Sequence, residues 1–216
     1  MSAPLLPLFV KLEGRACLVV GAGVIATQKI ESLVECGAKL TIVAPEGRAE
    51  VHALAAAGRI VWHARAYQEG DVHGHQLVIA ATSEPDVNHA VYEAAVAAGI
   101  LANAVDDPPY CDFYFGSVVR RGPLQIGIST AGESPALAQR LRHELEAALD
   151  EDTGSWLERL GALRREVLAA NPRGEPRNAL LRTLAAREVC DASACPSRKL
   201  ALGAQDVPVA KSWWLT

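Results

Sequence analysis

Over residues 1–105, short apolar or β-branched runs alternate with stretches whose apolar side chains recur every three or four positions. The runs predict strands at 16–20, Lys39–Ala44, Arg59–His63, Gln76–Ala81 and Ile100–Val105. Between them the pattern predicts a helix after Gly21 with Ile25, Ile30, Leu33 and Val34 on one side, stopped at Gly37. A second helix spans Glu46–Ala57 and stops at Gly58; a third spans Val87–Ala98, opened by Pro85-Asp86 and stopped by Gly99. The Gln76–Ala81 strand is apolar through its middle, as a parallel strand covered on both faces must be. Strand and helix in strict alternation imply right-handed crossovers and a parallel sheet with helices on both faces, an α/β domain of Rossmann type.

The period changes after Asp106-Asp107-Pro108-Pro109. Two strand-like runs, Phe113–Arg120 and Leu124–Thr130, meet at Arg121-Gly122-Pro123 with no helix between them, which predicts a hairpin. An isolated hairpin is marginal in water, so it needs a partner surface, and a copy in a second subunit would serve. Ser134-Pro135 then opens a helix to about Leu149. Asp150–Gly154 reads as an acidic linker, and further helices follow at about Ser155–Ala170, closed by Asn171-Pro172, and Pro176–Val189. The expected division is a Rossmann-type domain over 1–112, a hairpin-plus-helix dimerisation region over 113–149, and a small helical C-terminal region over 150–216 whose tail carries Cys190, Cys195 and Trp213-Trp214.

The first strand delivers the chain into Gly21-Ala22-Gly23-Val24-Ile25-Ala26, and a helix follows. Gly21 permits the tight turn, Gly23 lets backbone approach a pyrophosphate, and Ala26 lets the helix pack close to the strand. Such a glycine pattern is weak alone and gains weight from its strand–turn–helix setting. In this fold ligands lie outside the carboxyl ends of the strands, so Gly21, Ala22, Gly23, Val24, Ile25, Ala44, Pro45, Ala81 and Thr82 are the expected dinucleotide contacts, facing the stretch from Asn103 to Asp106. The acidic residue that usually holds the ribose is missing: the second strand ends in Ala44-Pro45, with Glu46 and Arg48 beyond. Motif logic alone leaves NAD and NADP open.

A formal net charge of −4 speaks against a general nucleic-acid binder. No run approaches a membrane span, and Met1–Pro7 lacks a signal peptide's basic start and apolar core, so the expected location is cytoplasmic. Five scattered cysteines do not form a disulfide framework, and Cys17 reads as a small buried strand residue. The pair His73 and His75, without a third ligand, is not assigned to a metal, and His143 reads as an exposed helix residue.

Several separated pieces, in order, resemble one family. They are Pro7-Leu8-Phe9 with Leu12; Gly21-Ala22-Gly23 with Ala26 and Lys29; Thr41-Ile42-Val43-Ala44-Pro45; Ile79-Ala80-Ala81-Thr82 with Asn88; Asn103-Ala104-Val105-Asp106; Cys111–Phe115; Gly122-Pro123-Leu124; and Ile128-Ser129-Thr130 through Gly132 to Ser134-Pro135. From Leu6 to Leu149 the chain is similar to the precorrin-2 dehydrogenases, some of which are also sirohydrochlorin ferrochelatases, found alone or as the N-terminal module of sirohaem synthase. Val24, Thr27 and Gln28 depart from it, where members more often carry charge.

The resemblance implies a homodimeric, NAD-dependent oxidoreductase converting precorrin-2 to sirohydrochlorin, with insertion of Fe2+ as a second activity in bifunctional members. It implies Asp106 as the catalytic carboxylate, where the residues alone favour a cap for the turn before Pro108, made by Asp106 or Asp107; with the resemblance Asp107 is left structural. It places Ser134 at the tetrapyrrole, while the residues also read as a helix N-cap. Asn103, Ser134, Arg120 and Arg140 are the expected substrate contacts, and Lys29, Arg121 and Arg142 are further candidates, because eight substrate carboxylates call for cations. No methyltransferase module follows, so a separate enzyme is expected to supply precorrin-2. The competing function is a non-catalytic NAD(H)-sensing module acting through a partner, which would not need the block from Asn103 to Ser134.

Overall fold

Five parallel strands, β1 (Ala16–Val20), β2 (Lys39–Val43), β3 (Ile60–His63), β4 (Leu77–Ala80) and β5 (Leu101–Ala104), form a sheet in the order β3-β2-β1-β4-β5 in the computed structural model, which describes residues 4–185. β1 lies at the centre, with Leu18 beside Thr41 on one side and Val78 on the other. Its side chains alternate between two cores. Cys17 and Val19 join Ile30, Leu33 and Val51 under α1 (Val24–Glu35) and α2 (Ala49–Ala56), while Leu18 and Val20 join Val91 and Ala95 of α3 (Pro85–Ala97). Helices therefore cover both faces, as the continuous apolar runs require. At the β3 edge the burial alternates, with Ile60 buried and Val61 exposed. The Cys17 thiol is fully buried, and burial, with Cys36 adding to it, pushes it up to about 11.

Several boundaries differ from the sequence reading. Ile25 is 46% exposed and does not belong to the buried face of α1, which is carried by Ala26, Thr27, Ile30 and Leu33. Val24 and Ile25, the first two residues of α1, are both exposed, so the buried stripe starts one residue later. α2 begins at Ala49 and not at Glu46: the Arg48 N–H donates to Ala22 O at 3.3 Å, and this tie holds residues 45–48 as a loop. The hairpin strands are β6 (Ser117–Arg121) and β7 (Leu124–Ile128), antiparallel, with Val119 beside Ile126. Phe113 is drawn out of β6 because it packs against the first core.

The molecule divides into two compact units, Met1–Phe115 and the chain from Gly116 onward. The second unit contains the hairpin, α4 (Pro135–Ala148), α5 (Thr153–Ala170) and α6 (Glu175–Leu184). The expected boundary between residues 149 and 150 falls inside it. The acidic linker is not one throughout: Thr153 and Gly154 are buried residues of the first turn of α5. A Cβ on Gly154 would stand 2.9 Å from the Gly122 amide nitrogen, so only glycine lets α5 start against the hairpin turn. Leu163, Val167 and Leu184 then close a small core between α5 and α6. The expected end of the last helix at Val189, with Cys190, Cys195 and Trp213-Trp214, lies outside the described residues. Among the described residues no helix is long and apolar enough to cross a membrane.

Candidate dinucleotide and catalytic site

All five strands run the same way, so their carboxyl ends share one edge of the sheet. Backbone bonds align those ends: Gly21 N–H donates to Val43 O at 2.9 Å, Ala81 N–H to Val20 O at 2.8 Å, and Val105 N–H to Ala80 O at 2.9 Å. Gly21, Ala44, Ala81 and Asp106 are thus brought to one edge, around the point where the strand order reverses between β1 and β4.

The glycine turn suits a pyrophosphate for separate reasons at its two glycines. Gly21 has φ +109°, and a Cβ there would stand 2.4 Å from Ala81 O, so the turn itself demands glycine. At Gly23 a Cβ would meet nothing within 4 Å; the space above it is open to a ligand. The N-terminus of α1 has no side-chain cap and no acidic residue in its first turn, which leaves first-turn N–H groups and the positive end of the helix dipole to an anion. Thr27 is turned inward, its hydroxyl donating to Gly23 O at 2.8 Å. Val24 and Ile25 are exposed beside the turn.

At the end of β2, the Ala44 N–H donates to His63 O at 3.2 Å and its carbonyl accepts from Trp62 Nε1 at 3.0 Å. Its N–H is spent and Pro45 has none, so this turn offers a ribose no backbone donor. Arg48 pairs with Glu50 at 3.3 Å, both exposed. After β4, Asn88 knots the turn: its Oδ1 accepts from Thr82 N–H at 3.0 Å, and its amide donates to Thr82 O at 3.2 Å.

The segment after β5 wraps the sheet edge, with Tyr110 packed on the α3 side and Phe113 on the α1 side. Asn103, expected as a substrate contact, is 5% exposed, and its amide donates to Phe113 O at 2.7 Å, so it also holds this segment in place. Cys111 supports the same turn, donating to Ala104 O at 3.1 Å, and burial raises its thiol. Asp106 is exposed and has φ +64°, a left-handed conformation that aspartate tolerates better than most residues. Asp107 does not cap the turn that follows: its Oδ2 lies 2.6 Å from His89 Nε2. Lys29 of α1 sits with Nζ 4.0 Å from the centre of the Phe115 ring. Burial lowers its ammonium below the usual lysine range, opposed by the charge of Asp106.

Most of the remaining candidates lie in the second unit. Ser134 is the N-cap of α4, its Oγ accepting from Leu137 N–H at 3.2 Å. Arg120 is exposed on β6, and Arg140 pairs with Glu144 at 3.2 Å on the open face of α4. Arg121 donates to Glu146 O at 2.7 Å, and Arg142 pairs with Glu146 at 2.8 Å, so both already hold α4. His143 touches Arg142, and His73 is exposed while His75 is half-buried. Among the described residues no three His, Cys, Asp or Glu side chains gather as a metal site. Sequence reasoning missed His89 and its bond to Asp107, because no local pattern joins residues eighteen apart.

The chain is similar to known proteins over both units. Residues 8–117 match a family model described as "Putative NAD(P)-binding", and residues 121–148 match one described as "Sirohaem biosynthesis protein central". Siroheme synthase 1 of Aeromonas salmonicida (strain A449) is 42% identical over 164 residues, covering 76% of this chain and 35% of that protein. Siroheme synthase of Neisseria meningitidis serogroup C (strain 053442) is 40% identical over 163 residues, covering 76% and 34%. The chain therefore spans about a third of the length of these curated relatives. Among solved structures, "SirC, precorrin-2 dehydrogenase" superposes with a TM-score of 0.74 at 26% identity, covering 92% of this chain and 98% of that one. With the glycine turn, the uncapped helix and the strand order all in place, the chain belongs to the NAD(P)-binding family matched over residues 8–117.

Proposed function

We propose that this chain dehydrogenates precorrin-2 to sirohydrochlorin with NAD as the hydride acceptor. The observation that carries this reading is the exposed Asp106 carboxylate at the end of β5, on the same sheet edge as the Gly21–Gly23 turn. The names of the relatives supply the substrate: siroheme synthases, and a precorrin-2 dehydrogenase among the solved structures.

Dehydrogenation removes a hydride and a proton from adjacent positions of the macrocycle. NAD, when bound, takes the hydride; Gly21, Ala22, Gly23, Val24 and Ile25 would hold its pyrophosphate side, and Ala44, Pro45, Ala81 and Thr82 would line the rest of the edge. The proton needs a base, and Asp106 accepts it at its carboxylate. Lys29, an ammonium within electrostatic reach of that carboxylate, places a positive charge beside it. Asn103 contributes by holding the segment that bears Asp106. Ser134 at the N-terminus of α4, with Arg120 and Arg140, would receive substrate carboxylates. The exposed Arg140–Glu144 pair is a weak one and can exchange partners for a substrate carboxylate. A homodimer through the hairpin and a cytoplasmic location complete the reading.

The test is anaerobic incubation with precorrin-2 and NAD, following the sirohydrochlorin spectrum and NADH absorbance. Asp106→Ala is expected to lower turnover by at least about 10²-fold while NAD affinity stays within about twofold. Absence of turnover in the unmodified protein with NAD binding intact overturns the enzyme reading. Adding Fe2+ to the sirohydrochlorin formed tests iron insertion in the same vessel.

A further inference from the structure

Asp106 is held in its left-handed conformation by contacts on both sides of it. Before it, Val105 is fixed to Ala80 in the sheet ladder. After it, Asp107 N–H reaches Ala104 O at 3.2 Å, and the Asp107 carboxylate makes the shortest contact of the segment, 2.6 Å to His89 Nε2. The carboxylate can only accept, so the imidazole carries a proton on Nε2 and donates.

His89 is itself placed by α3, and its ring stacks on Tyr110 with centroids 3.8 Å apart and planes 12° from parallel. Tyr110 meets Tyr92 edge to face at 5.4 Å, and its N–H donates to Asp107 O at 2.9 Å. One imidazole therefore grips Asp107 through its edge and the following turn through its face. None of these groups belongs to the glycine turn or to the end of β2.

We propose that His89 is a positioning residue: acting through Asp107, it fixes the backbone of Asp106 and so aims the Asp106 carboxylate. The role rests on the reading of Asp106 as the base. Loss of the bond leaves Asp107 to its backbone ties alone, with Ala104 O, Tyr110 N–H and the Cys111 thiol; this loosens the segment enough for Asp106 to relax toward ordinary φ, which swings its carboxylate away while the dinucleotide turn stays as it was.

His89→Phe keeps a ring to stack on Tyr110 and removes the donor. Asp107→Asn keeps an oxygen acceptor, whereas Asp107→Ala removes it. In the full chain with saturating NAD, His89→Phe and Asp107→Ala are expected to lower kcat by about tenfold or more, with KM for precorrin-2 and the Kd for NAD changed less than about twofold. Asp107→Asn is expected to recover most of that kcat. A His89→Phe protein with unchanged kcat overturns the proposal, as does a loss shared equally by NAD affinity. Should His89→Phe fold poorly, His89→Gln, whose amide can donate to Asp107, is expected to retain kcat above Asp107→Ala, and equal loss in the two overturns it. A crystal structure of the His89→Phe or Asp107→Ala protein reads the same point without turnover. Asp106 leaving the left-handed region supports the role and Asp106 unmoved refutes it, even if the unmodified protein proves not to turn over precorrin-2.

Discussion

Gly21 and Gly23 stand two residues apart and protect different things. At Gly21 the backbone conformation and the 2.4 Å approach to Ala81 O both forbid a side chain, so Gly21→Ala strains the fold by roughly 1–3 kcal/mol or more. At Gly23 the backbone is ordinary and the space above it open, so Gly23→Val leaves folding alone and fills the ligand's place. Thermal melting and dinucleotide titration separate the two: Gly21→Ala lowers Tm, while Gly23→Val keeps Tm and loses at least about tenfold in NAD affinity. Asp106 shows the opposite trade. A left-handed residue other than glycine costs roughly 1–2 kcal/mol, somewhat less for aspartate. Asp106→Gly is therefore expected to raise Tm by a degree or more while abolishing turnover, as expected where strain serves function. An unchanged or lowered Tm would mean that the neighbours of Asp106 already favour its conformation.

Whether an element could be read from the sequence depended on how local its causes are. β1 and β4 are plain in the sequence because a strand between two helical layers must be apolar throughout, and nothing distant decides it. Ser134 could be read as a cap because its bond to Leu137 spans three residues. The start of α5 could not. Asp150–Gly154 has the composition of a linker, and Thr153 and Gly154 are buried because Gly122, far back in the chain, allows the approach. The contact gives an element-scale prediction. Gly154→Val pushes α5 off the hairpin turn, so calorimetry should show the second unit melting lower while NAD affinity, a property of the first unit, is kept. A single transition shifted as a whole would mean that the two units unfold together. The same contrast explains the site: the glycine turn is written in consecutive residues, whereas the bond of His89 to Asp107 exists only because α3 lies beside β5.

At the scale of the whole molecule, a net charge of −4 and the proposed substrate, rich in carboxylates, are reconciled by where the cations stand. Lys29 is half-buried in the first unit beside an aromatic ring, a setting that weakens its hydration and strengthens its hold on an anion. In the second unit the arginines differ in what they can release. Arg121 is bound to the backbone of α4, while the exposed Arg140–Glu144 pair contributes little to stability. Charge counted over the whole chain hides this arrangement, which is why composition could speak against a general nucleic-acid binder without pointing to a ligand. Superposition on a solved dehydrogenase over nearly all of that chain, at 26% identity, shows how much sequence can change while the fold is kept.

Trp62 ends on the carbonyl of Ala44, at the place where the fold receives the adenosine half of a dinucleotide, with Gly47 packed on its ring and His52 edge-on. Its emission falls where reduced nicotinamide absorbs. The indole that shapes the end of β2 is thus also a built-in optical probe: arrival of NADH is expected to dim it by energy transfer, and because the chain has four tryptophans its share is the part of that quenching which Trp62→Phe removes.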